Sequence, residues 1–112
     1  MQTKKALYSA SEKTFQDIAS KVSYACSSDQ KNAVLKSAIT SYAFTCKQVW
    51  GLLESYSVES YKLAALAILK NNIIDLENQK KEICDKFGVS SSKTKAAQTL
   101  AYSVNAKVAG EA

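Results

Sequence analysis

Lysine recurs at positions 31, 62 and 93 of this chain, and the surroundings recur with it at the same spacing of 31 residues. Leu52-Leu53-Glu54-Ser55-Tyr56-Ser57-Val58 aligns with Ile83-Cys84-Asp85-Lys86-Phe87-Gly88-Val89. Ser60-Tyr61-Lys62-Leu63-Ala64-Ala65-Leu66 aligns with Ser91-Ser92-Lys93-Thr94-Lys95-Ala96-Ala97, and Lys31 to Leu35 falls on Lys62 to Leu66. A period of about thirty residues is the length of one pair of helices. The reading is an all-α protein of five to six short helices, stacked as helical hairpins with a repeat of about 31 residues.

Helix starts and apolar stripes agree with that period. The first helix starts at Ser9 or Ser11, with Phe15, Ile18, Ala19, Val22 and Ala25 on one stripe. The second follows Ser27-Ser28-Asp29 and turns Val34, Leu35, Ala38, Ile39 and Tyr42 inward. Thr45-Cys46-Lys47-Gln48 has the form of a capping box opening a third, whose buried face is Val49, Leu52, Leu53 and Tyr56. The fourth, about Val58 to Asn71, has almost no polar side, which places it at the centre among the others. The fifth begins at Asp75 and buries Leu76, Ile83, Cys84 and Phe87; Gly88 then stands where a left-handed C-terminal cap is wanted. The sixth begins in Ser90-Ser91-Ser92 and carries Ala97, Leu100, Ala101, Val104 and Val108 inward. Stretches such as Tyr42 to Cys46 have strand-like composition but are too few and too short to make a sheet.

With no proline and three glycines, the chain has few residues for strand-linking turns, while Ser, Thr and Asp caps suffice for helices. Residues 1–10 read as an N-terminal arm, 11–109 as a single helical domain, and 110–112 as a C-terminal tail. The longest apolar run, Leu63 to Leu69, is too short to span a bilayer, and the first residues do not form a leader. The default is a soluble, cytoplasmic protein. Cys26, Cys46 and Cys84 are odd in number and lie far apart, so they read as reduced, buried thiols rather than a metal knuckle.

Three stretches carry a family resemblance: Tyr56 to Leu66, Asn72-Ile73-Ile74-Asp75-Leu76-Glu77-Asn78, and Phe87 to Lys93. Together they resemble the domain-of-unknown-function 4476 family, over about residues 14 to 104, a helical module also found in an animal proline- and serine-rich protein. The resemblance implies a compact helical module and transfers no activity and no cofactor. It makes the motif residues capping and packing positions, with Asp75 capping a helix and Asn78 answering it three residues on.

Function must be read from what the surface offers. The absence of histidine removes the usual general base and the commonest metal ligand, so the chain reads as non-enzymatic, with no catalytic residue, metal or cofactor. The net charge of +5 comes from fifteen lysines with no arginine, which argues against base-specific readout. The densest basic group is Lys80, Lys81, Lys86, Lys93 and Lys95, and it supports the alternative of a charge-driven binder of nucleic acid or an anionic membrane surface. The favoured reading is a helical protein–protein interaction module, binding a protein partner or a second copy. Trp50 and Tyr61 fall off the apolar stripes and are the expected partner-binding residues, since these aromatics dominate interface hot spots.

Overall fold

A computed structural model describes residues 6–112. The first five residues of the expected arm lie outside the described residues. The protein is mostly helical, with six helices and two short strands: β1 (Tyr8–Ser9), α1 (Glu12–Tyr24), α2 (Ser28–Ala38), β2 (Tyr42–Ala43), α3 (Cys46–Leu53), α4 (Glu59–Leu69), α5 (Leu76–Asp85) and α6 (Ser90–Leu100).

The helices lie in two layers. α1 packs on α3 and α3 on α5, while α2 packs on α4 and α4 on α6; α1–α2, α3–α4 and α5–α6 contacts join the layers. Val22, Leu35, Val49, Leu52, Leu53, Leu66, Leu69, Leu76 and Ile83 fill the space between them. α4 touches α2, α3 and α6, burying Ala65, Leu66 and Leu69. It is not enclosed on every side, however, because Ala64 and Ala67 are exposed. Alanine tolerates either environment, so an unbroken apolar run overstated the enclosure.

The first three helices start on their own side chains. Ser11, Ser27 and Thr45 each accept the N–H three residues on, and the expected capping box forms between Thr45 and Gln48. The later helices have no such cap. Asp75 occupies the N-cap position of α5 but does not cap it; its Oδ1 accepts the Cys46 N–H at the start of α3, at 2.7 Å. The open Glu77 N–H of α5 is met by Asn105 Oδ1 at 2.8 Å, and Asn78 is left exposed. Glu59 of α4 likewise reaches the turn before α6, accepting from the Gly88 and Val89 N–H groups at 3.0 and 3.1 Å. Among the described residues no glycine has a positive φ, so Gly88 is not a left-handed cap. The turn there is held by the Glu59 carboxylate instead.

The strands were missed because each rung is two residues long, far below any alternation window. β1 pairs in parallel with β2, Tyr8 opposite Tyr42 and Ser9 opposite Ala43. The ladder extends on both sides. Phe44 pairs with Ile73, through Phe44 N–H to Asn72 O at 2.7 Å and Ile74 N–H to Phe44 O at 2.8 Å. Ala106 N–H then reaches Ile73 O, and beyond β1 the Ser9 N–H reaches Gly110 O at 2.7 Å. Tyr8 and Ser9 of the arm and Glu111 of the tail thus belong to one ladder.

α6 differs in register from the sequence reading. It ends at Leu100 and buries Ser92, Ala96 and Leu100, while Ala97, Ala101, Val104 and Val108 are exposed. An inward serine concealed the true stripe. Cys26 also departs from expectation, being exposed; Cys46 is buried, Cys84 is half-buried and all three are free.

Two stability contrasts follow from this packing. Leu66 is fully buried, so Leu66→Ala should cost about 2–5 kcal/mol in a denaturant titration, whereas Lys81→Ala, on an exposed position, should change stability by less than ~0.5 kcal/mol. Glu59→Ala should cost about 1 kcal/mol through the lost N–H partners ahead of α6. A Glu59→Ala protein with unchanged stability would show that this cross-helix contact contributes nothing.

Candidate binding groove

The layer formed by α1, α3 and α5 has an open groove across it, about 780 Å³ in volume. α1 contributes Glu12 and Phe15, α3 contributes Cys46, Gln48, Trp50 and Gly51 with Glu54 at its C-cap, and α5 contributes Gln79, Glu82 and Ile83 with Lys86 at its C-cap and Asp75 just ahead of it. Helical geometry explains the α3 edge. Val49, Leu52 and Leu53 point into the core, so Trp50 is rotated about 100° from Val49 and emerges at the rim. Gly51 lets α1 approach, since a Cβ there would lie 2.9 Å from Phe15 Cζ.

Trp50 is half-buried and firmly set. Its ring meets Phe87 edge to face at 5.5 Å between centroids and 78° between planes. The Lys62 and Lys86 ammonium groups lie 5.3 and 5.8 Å from the Trp50 ring centre. The indole thus packs on a core aromatic while lining the groove.

At the floor, Cys46 is buried and directed toward Asp75 O, 3.9 Å away. Burial, then the charge and hydrogen bonding of Asp75 and the charge of Glu82, push its thiol up to about 12. Such a group is a thiol at neutral pH, without the thiolate character of an activated nucleophile. Burial also raises Cys84, with Asp85 adding to it. Among the described residues no three His, Cys, Asp or Glu side chains are grouped to hold a metal ion. Charge along the groove runs against that of the chain: Glu12, Glu54, Asp75 and Glu82 are four carboxylates against the two lysines Lys47 and Lys86.

Of the expected partner-binding and basic-patch residues, Trp50 and Lys86 line the groove and Tyr61, Lys80, Lys81, Lys93 and Lys95 do not. Tyr61 is exposed on α4, and its neighbour Lys62 is the one that meets Trp50. Lys80 donates to Ala101 O at 3.4 Å, while Lys81, Lys93 and Lys95 are exposed on α5 and α6. Phe15 read only as a packing residue of the first helix, and Gln79 and Glu82 carried no binding signal, because only packing brings these distant parts of the chain together. Gly51 did carry a signal, since a mid-helix glycine marks a close approach.

The molecule is thus a two-layered helical protein with a groove across one layer. It belongs to the family described as Domain of unknown function (DUF4476), whose model matches residues 9–100, from β1 to the end of α6. No curated protein and no solved structure matches the chain. No helix is long and apolar enough to cross a membrane, among the described residues.

The buried acids give a pH prediction. Cys46 and Tyr56 are both neutral when protonated, and both are raised to about 12, Tyr56 by burial as it donates to Asn32 Oδ1 at 2.6 Å. The unfolded chain loses these protons first, from the ordinary values of 9.0 and 10.0 upward. Their contribution is therefore complete below pH 9.0 and is lost as pH rises toward about 12. Thermal melts should show Tm falling above pH 9.0, and falling less in a Cys46→Ala, Tyr56→Phe double variant. An equal fall in both proteins would assign alkaline sensitivity to other groups.

Proposed function

We propose that this chain is a non-enzymatic protein-interaction module that holds a segment of a protein partner in the groove across α1, α3 and α5. The observation that carries this reading is Trp50: a half-buried indole, braced edge-on by Phe87, standing at the rim of an open groove built by three helices. An aromatic whose rotamer is fixed before binding loses little entropy on contact, which is why such residues dominate interface energetics. The protonated state of Cys46 supports a binding role over a nucleophilic one. Three free cysteines suit the cytoplasm, where thiols stay reduced.

The 31-residue repeat belongs to the same proposal. α2, α4 and α6 begin at Ser28, Glu59 and Ser90, and Tyr56 and Phe87, one period apart, are both buried. Paired helices stacked in series bring equivalent edges to one side, the usual binding side of such proteins. Tyr61, 48% exposed, offers a second contact away from the groove. The charge-driven alternative is weakened by Lys80 and Lys86, which are directed to a backbone carbonyl and to the Trp50 ring.

Selection from a random peptide display library tests the reading. Ligands should perturb the fluorescence of Trp50, the chain's single tryptophan. Gln79→Phe, which fills the groove from a half-buried position, should weaken them by ~30-fold, about 2 kcal/mol, with Tm nearly unchanged. Ligands that bind the Gln79→Phe protein as well as the parent would place the interaction elsewhere.

A further inference from the structure

We infer that the occupant of this groove is a positively charged protein segment, one that presents lysine or arginine beside an apolar anchor. The inference rests on the groove reading above and adds the chemistry of the partner. Two independent features point the same way.

The first is charge. The chain as a whole carries +5, yet the groove sets Glu12, Glu54, Asp75 and Glu82 against only Lys47 and Lys86. A surface that merely sampled the composition would show the opposite sign. Two of the four carboxylates already accept hydrogen bonds within the chain: Asp75 from the Cys46 N–H at 2.7 Å, and Glu12 from the Gln16 amide at 2.9 Å. Glu54, at the C-cap of α3, and Glu82, on α5, are both exposed and border the groove, so an incoming cation is reached without burying an unpaired charge. Charges of one sign lining a concave surface reinforce one another and steer a complementary partner.

The second feature is the use the chain makes of Trp50. Two of its own ammonium groups, on Lys62 and Lys86, lie within 5.3 and 5.8 Å of the ring centre. The ring is thus a place where cations rest, and Lys86 stands at the groove itself. A lysine or arginine from a partner competes with a flexible side chain for that position, and a planar guanidinium stacks there better than Lys86 does. Phe15, half-buried at the groove, supplies the apolar contact beside the charged groups.

The test is a Trp50 fluorescence titration of the whole chain with three short peptides alternating leucine with arginine, with glutamate or with serine. The arginine peptide should bind at least ~10-fold more tightly than the other two, and its affinity should fall steeply as salt rises from about 0.05 to about 0.5 M. Glu54→Lys and Glu82→Lys should each weaken it by ~5-fold or more, with an unchanged circular dichroism spectrum; both positions are exposed, so the fold does not depend on them. Equal binding of the glutamate peptide, or of the arginine peptide to both variants, overturns the inference. Display ligands that are acidic or neutral but lost with Gln79→Phe overturn it while the groove reading stands. Concentration-dependent self-association abolished by Glu82→Lys assigns the groove to a second copy and overturns it too. If no peptide of any charge perturbs Trp50, both readings fall together.

Discussion

The Asn72 side chain ties together elements that no helix–helix contact alone would hold in register. It is 7% exposed, and its amide donates to Ile39 O beyond the end of α2 and to Tyr42 O in β2, both at 2.9 Å. The Asn72 backbone carbonyl accepts the Phe44 N–H, on the segment that leads into α3. Three backbone segments are thereby fixed by one residue. Remove it and two carbonyls lose their partner in a site with little water, at about 1–3 kcal/mol for each one left unsatisfied. Where α3 begins decides where Trp50 stands, so the groove inherits its geometry from this junction.

The same economy appears at the helix starts. Asp75 and Asn105 each serve the helix pair before their own position, at Cys46 and Glu77, and Glu59 serves the turn ahead of α6. A cap supplied across the interface links the formation of one helix to the placement of the next, whereas a local cap such as Ser11 or Ser27 stabilises its own helix in isolation. The chain moves from local caps in its first half to cross-chain caps in its second. Among the described residues no buried side-chain nitrogen or oxygen lacks a partner, so the polar groups used this way are satisfied.

Much of the helical layout could be read from the residues, because it depends on local chemistry. Ser11, Ser27 and Thr45 cap as expected, and the stripes of α1 and α3 face inward. Where the reading failed, a non-local partner had changed the role of a familiar residue. Asp75 looked like a cap for α5 and caps α3; Gly88 looked like a left-handed terminus and is a donor to Glu59. The ladder was illegible because its rungs are short and drawn from distant segments, Ser9 and Glu111 lying near opposite ends of the chain. Of the groove, only Trp50 and Lys86 carried a binding signal beforehand; Phe15, Cys46 and Asp75 read as packing or capping residues, and their place in one groove emerges only when α1, α3 and α5 are laid side by side.

Native-state hydrogen exchange at the Ala10, Phe44 and Ile74 amides tests this account most directly. Each donates to the ladder, at 3.0, 2.7 and 2.8 Å. If the ladder and Asn72 set the register of the helices, these amides open only when the whole molecule unfolds, and their protection will equal that of the buried Leu66 amide in α4. Exchange of all three at the rate of an unstructured loop, with α4 still protected, would contradict it: the helices would then pack without the ladder.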